Sequence, residues 1–165
     1  MKKYEFTGET KEIKLLFRTA VLHRIRATVS FGFVKIGDLG GWIEKEENLS
    51  HEGKAWVCGD AEVWGNAKVC GDAKVCGDAK VFSASHVLVI GAIGSRNDFT
   101  TFYRDKDNEI TVKCGCFLGK IDRFLEKVTQ THGDSKYALV YRAAVEVAKL
   151  QIDLSGEAPK DADEE

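Results

Sequence analysis

Residues 52–93 read EGKAWV CGDAEV WGNAKV CGDAKV CGDAKV FSASHV LVIGAI, a six-residue period repeated seven times without a gap. Such a period predicts a parallel β-helix, in which each repeat contributes one short strand and stacked repeats bury a continuous core. Val57, Val63, Val69, Val75, Val81, Val87 and Ile93 fill the aliphatic column, while Ala55, Ala61, Ala67, Ala73, Ala79, Ser85 and Gly91 fill the small one. Both columns are expected to point inward. Gly53, Gly59, Gly65, Gly71 and Gly77 precede Lys54, Asp60, Asn66, Asp72 and Asp78, and glycine followed by Asp or Asn suits a tight corner. The corner motif decays at Ser83 and Val89, where the stack is expected to end.

The repeat resembles the hexapeptide-repeat, left-handed parallel β-helix family, in which three hexapeptides make one triangular coil of about 18 residues. That resemblance implies roughly two and a third coils here. It stacks Cys58 on Cys76, Trp64 on Phe82, Cys70 on Leu88, Trp56 on Lys74 and Glu62 on Lys80. Cys58 and Cys76 then come within disulfide reach, although an intracellular compartment keeps thiols reduced. Trp64 and Phe82 form an outward ladder that is either a subunit interface or a surface shielded by the N-terminal strands. So short a solenoid needs capped ends. Residues 37–50, through Trp42, Ile43 and Leu49, are expected to cap one end, and the chain after Ile93 the other; a homo-oligomer would bury more.

The chain has 165 residues and a net charge of −2, the length of one domain with no strong charge to specify an acidic or basic partner. The charge is unevenly laid out. Residues 1–35 carry eight Lys/Arg against three Glu, and residues 155–165 five acids against Lys160. No run approaches the roughly 18 apolar residues of a membrane span, so a soluble, intracellular chain is expected, with no membrane and no DNA or RNA polymer as partner. The five cysteines follow no scaffold spacing, and neither a disulfide framework nor a metal site is expected.

On the N-terminal side YEF, LHRIRATV and GFVKI read as strands, and Arg24 and Arg26 project with Leu22 from one face, as a solvated edge or as an electropositive wall. After the solenoid, two strand-like runs flank the turn cluster Asp105 to Asn108. Ile110, Val112, Cys114 and Cys116 share one face by alternation, and Ile121, Phe124, Leu125 and Val128 take helical spacing. Gly133 stops that helix, Asp134 caps a second, and Tyr137, Val140, Tyr141, Ala144 and Ala148 form its packing stripe. The expected fold is therefore mixed β/α. N-terminal strands and a cap occupy 1–50, a short left-handed parallel β-helix 51–93, a β-hairpin with two helices 94–154, and a disordered acidic tail 155–165.

Cys114 and Cys116 lack the two-residue gap of a zinc ribbon and read as core cysteines. His23, His51, His86 and His132 are scattered, with no sequence-local partner that specifies a nucleophile or general base, so no catalytic residue and no cofactor are assigned. His51 and His86, both on the solenoid, are the candidates if the chain is a hexapeptide acyltransferase. His132, beside Gly133, reads as a helix-end residue meeting the macrodipole. The densest polar cluster is GSRNDFTTFYR, residues 94–104. Arg96, Asn97, Thr100, Thr101, Phe102, Tyr103 and Arg104, with Lys113 on the neighbouring strand, offer guanidinium groups, turn amides, hydroxyls and rings. Those are the parts of a nucleotide pocket, and equally of a hairpin's wet face.

FGFVKIGDLGGWIEKEENLS leading into tandem GDAKV repeats, then IGSRNDFTTFYR, CGCFLGKIDRFLEKV and THGDSKYA, resembles a family of phage and prophage hexapeptide-repeat proteins over about residues 4–152. The resemblance implies no enzymatic activity, and it implies an accessory phage protein acting in the bacterial cytoplasm. By analogy with phage sponges, the expected function is to sequester a small anionic, nucleotide-like signal of antiphage defence. A protein-binding inhibitor of a host factor is the alternative, with the acyltransferase behind it.

Overall fold

Glycine sets the corners of the repeats. In the computed structural model, which describes residues 1–157, Gly53, Gly59, Gly65, Gly71 and Gly77 all take φ between 60° and 70°. At Gly53 a Cβ would also lie 2.6 Å from the carbonyl oxygen of Gly71 in the rung above, so both conformation and space require glycine there. Ser83 instead takes φ −144°, and its hydroxyl accepts the Ser85 N–H to open a 3-10 turn over Ala84–His86. The corner ends where the glycine does.

The fold class differs from the β-helix expectation. Among the described residues the strands form three separate sheets, largely antiparallel or mixed, with no closed or solenoid sheet. β1 (Tyr4–Lys14) and β2 (Thr19–Ala27) are a long antiparallel hairpin, β3 (Leu39–Ile43) pairs antiparallel with β2, and two repeat strands then join in parallel. β4 (Trp56–Val57) and β6 (Lys74–Val75) form a two-stranded parallel sheet. β5 (Glu62–Val63) and β7 (Lys80–Val81) extend the first sheet in the order β1-β2-β3-β5-β7. β8 (Val87–Ile93), β9 (Asp98–Arg104), β10 (Ile110–Cys114) and β11 (Phe117–Lys120) make an antiparallel sheet in the order β11-β10-β9-β8.

The reason lies in ladder length. Each repeat strand is two residues long and forms few inter-strand hydrogen bonds, whereas β1 and β2 offer 11 and 9 residues. The last two hexads, FSASHV and LVIGAI, leave the repeat and become the 3-10 turn and β8, which pairs antiparallel with β9.

Within the repeats the columns are inward. Val57, Val63, Val69, Val75 and Val81 pack with Ala55, Ala61, Ala67, Ala73 and Ala79 in one buried cluster. Parallel partners lie 18 residues apart, Trp56 with Lys74 and Glu62 with Lys80. Cys58 and Cys76, expected to be reduced, are joined by a disulfide, their Cα atoms 4.6 Å apart in adjacent rungs. Trp64 stacks on Phe82 at 4.7 Å and is buried beneath β1 to β3 by Ile13, Ala20, Leu22 and Trp42. The N-terminal strands therefore shield this ladder. At one edge of the repeats the buried Lys3 ammonium donates to the carbonyls of Glu52, Gly53 and Ala55.

Several local expectations also change. GFVKI is a turn closed by a Phe31–Val34 bridge rather than a strand. Arg24 donates to the Gly40 carbonyl and lies over Trp42, and Arg26 pairs with Glu5, so neither serves an electropositive wall. The C-terminal hairpin gains β11 through a two-residue turn, Gly115 and Cys116, with Cys114 opposite Phe117. Gly115 has φ 57°, and the turn carries Cys116 out of the alternation and into solvent. α1 (Ile121–His132) stops at Gly133, and α2 (Lys136–Gln151) has Ser135, not Asp134, at its N-cap. Both helices pack on Phe102, Ile110 and Val112 through Phe124, Val128, Tyr141 and Val145. The expected acidic tail, 155–165, falls from residue 158 onward outside the described residues. No helix among the described residues is long and apolar enough to cross a membrane.

Candidate ligand-binding cleft

β9 lies between β8 and β10, with the repeat core on one face and the helices on the other. Both of its side-chain alternations are consequently covered. Thr100, Thr101, Phe102, Tyr103 and Arg104 are each no more than 1% exposed, and the structure does not bring them to a common opening. Each has other work. The Tyr103 hydroxyl donates to the Cys76 carbonyl at 2.8 Å and accepts the Cys76 N–H, while Thr101 Oγ1 accepts the Lys74 N–H at 3.0 Å. These two residues satisfy backbone at the open edge of the repeats. Phe102 meets Phe124 edge to face. The Thr100 hydroxyl donates to Cys114 Sγ at 3.3 Å. Lys113 donates to the Gly115 carbonyl, and burial, with Lys74 nearby, holds its ammonium below the ordinary lysine range. Asn97 takes φ 48° in the exposed β8–β9 turn.

Arg96, on that same turn, is different. It stands at the rim of a cleft of about 210 Å³ between the β8–β9 turn, the β10–β11 turn and the two helices. Phe117, Phe124 and Tyr141 supply its aromatic lining. Lys127 and His132 from α1 add nitrogen groups, Asp98 adds one carboxylate, and the thiols of Cys114 and Cys116 complete the wall nearest β10. The cleft is framed by close packing. Gly94, φ 80°, lies so near Tyr141 that a Cβ there would be 1.9 Å from the phenolic oxygen, and the His132 ring stacks on Tyr141 at 5.7 Å. Burial pushes the Tyr141 hydroxyl up, so it remains a neutral donor at physiological pH.

Only Arg96 of the residues read as a pocket lines this opening together with residues from elsewhere in the chain. Phe124 and Tyr141 were legible as a packing stripe and His132 as a helix end, but the stripe did not reveal that its edge stays open. Helical spacing does place Phe124, Lys127 and Val128 on adjoining faces of α1, which is the one signal available in the sequence. Among the described residues, no group of three or more His, Cys, Asp and Glu is placed to hold a metal ion.

The two histidines read as acyltransferase candidates, His51 and His86, lie away from the cleft. His51 stacks on Tyr4 at 4.1 Å and accepts the Lys3 N–H at Nδ1. His86 is buried, accepts the Phe82 N–H at Nδ1, and turns Nε2 toward Arg104 at 3.2 Å. Burial, then the Arg104 charge, pushes the His86 pKa from 6.5 down to about 4. The folded state thus binds this proton less readily than the unfolded chain between pH 4 and 6.5. Stability is expected to hold above pH 6.5 and to fall as pH drops toward 4, by at most about 3 kcal/mol from this residue. Burial lowers His51 too, with the same sign. Urea denaturation across this window should show the loss, and His86→Gln should flatten the slope; an unchanged slope would assign the effect elsewhere.

Comparison with protein-family models and with curated sequences finds no match to this chain.

Proposed function

We propose that this chain is a non-catalytic binding protein whose cleft takes a small aromatic anion of nucleotide type. The observation that carries the reading is one opening in which the cations Arg96 and Lys127 stand beside the rings of Phe117, Phe124 and Tyr141. A planar base can stack on such rings, and guanidinium and ammonium groups recognise phosphate at the rim. A cleft of about 210 Å³ suits a base better than a whole nucleotide, so the sugar and phosphate would lie along the Arg96 side. Together with the phage-type resemblance over about residues 4–152, this supports sequestration of a defence signal in the bacterial host cytoplasm.

The test is to release bound small molecules by heat, identify them by mass spectrometry, and titrate the protein with adenosine and AMP by calorimetry. AMP should bind more tightly than adenosine. Arg96→Ala combined with Lys127→Ala should weaken AMP binding by at least about 100-fold and leave adenosine nearly unchanged, since each charge-assisted contact contributes about 1.5 to 3 kcal/mol. Equal affinity of the variant and the parent for AMP would overturn the site.

A further inference from the structure

Arg104 is 1% exposed, and among the described residues no carboxylate lies within ion-pair distance of it. A buried guanidinium ordinarily has a counter-charge, because desolvation is costly. Here the hydrogen-bond partners are neutral, and the Asp153 carboxylate, on the same segment as Gly156, acts on the group only from beyond ion-pair distance. Nε donates to Asn108 Oδ1 at 2.9 Å, Nη2 donates to the Gly156 carbonyl at 2.9 Å, and the group lies over the Phe82 ring at 5.0 Å. Asn108 Nδ2 donates to the same Gly156 oxygen at 2.6 Å. Two donors from two side chains thus converge on one oxygen, the arrangement in which a carboxylate or phosphate oxygen is held.

His86 points the same way. A neutral imidazole has one acceptor nitrogen, so His86 cannot accept from the Phe82 N–H at Nδ1 and from Arg104 Nη1 at Nε2 at once. One of the two N–H groups that face the ring is therefore short of an acceptor.

We propose that Arg104, Asn108 and His86 form a second binding site, for a small oxyanion, in which the Gly156 carbonyl is the chain's own stand-in for the ligand oxygen. The site is independent of the Arg96 cleft. The occupying segment is lightly held. Asp153 N–H donates to Ser85 and Leu154 packs partly on the helical core, while Asp153, Ser155, Gly156 and Glu157 are exposed. Such segments open at far less cost than the whole fold. Once the segment lifts, an anion gains a full Coulomb attraction to Arg104 where the carbonyl offers only a dipole. The phosphate or carboxylate replaces one acceptor with another, and no bond is made or broken.

The experiment is to titrate the full chain with inorganic phosphate at constant ionic strength, following the Arg104 Nε–H resonance and amide exchange at 155–157 by NMR. Saturable shifts of Arg104, accompanied by faster exchange of those amides, are expected. Leu154→Ala loosens the segment and should bind phosphate about fivefold more tightly, since a larger fraction of molecules is open. Asn108→Asp supplies an internal carboxylate, keeps the residue compatible with its φ of 56°, and should abolish the response without unfolding the protein. The response should persist in Arg96→Ala. Shifts that do not saturate, a response retained in Asn108→Asp, or no tightening in Leu154→Ala would each overturn the proposal.

Discussion

Replacing Glu62 by glutamine is expected to lower the free energy of unfolding by about 3 to 5 kcal/mol, the usual effect of removing one partner from a buried ion pair. Glu62 is 2% exposed and bridges two lysines, its oxygens 2.5 Å from Lys11 Nζ and 2.7 Å from Lys80 Nζ. The lysines come from distant elements. Lys80 stands directly across the parallel β5–β7 pair, and Lys11 reaches over from β1. The carboxylate therefore ties the hairpin to the repeats in a place where water screens little. Glutamine keeps the shape but removes the negative charge that the two ammonium groups share. Urea denaturation measures the loss, and pairing Glu62→Gln with Lys80→Met should recover part of it. A loss below about 1 kcal/mol would place the bridge with exposed pairs.

Trp64→Ala is expected to cost a similar about 3 to 5 kcal/mol, and to do so without changing the oligomeric state. The indole is 2% exposed, stacked on Phe82, and walled by Ile13, Leu22 and Trp42, so its removal opens a cavity between the repeats and the N-terminal strands. Denaturation midpoints should fall equally at low and high protein concentration. A fall only at low concentration, with a change in sedimentation, would instead assign Trp64 to a subunit boundary.

Local readings from spacing survive where one neighbour decides the outcome. The valine and alanine columns of residues 55–81 face inward because a six-residue step returns each side chain to the same inward orientation, and three such steps return it to the same wall. The Gly corners follow from φ alone. Phe124 and Val128, three and seven residues after Ile121, are buried because one face of α1 meets a sheet. Readings that depend on which distant segment arrives fare differently. LVIGAI continues the repeat in letters, yet as β8 it pairs with β9, since a seven-residue antiparallel ladder outcompetes another two-residue rung.

The same distinction separates the readable part of the site from the rest. Arg96 sits on an exposed turn, where side-chain chemistry and accessibility go together, and its place at an opening was legible. Thr100 to Arg104 alternate as a half-wet strand would, but a strand covered on both faces shows nothing in its alternation to reveal the second cover. By itself the sequence determined the repeat period, its corners, its inward columns and the helical stripes, all properties of residues within a few positions of one another. The tertiary structure alone decided the three-sheet architecture, the burial of Arg104 under Gly156, and the cleft between turns and helices. Those depend on long-range pairing, in which the longest ladders and the largest apolar faces compete for the same partners, and no local pattern records the winner.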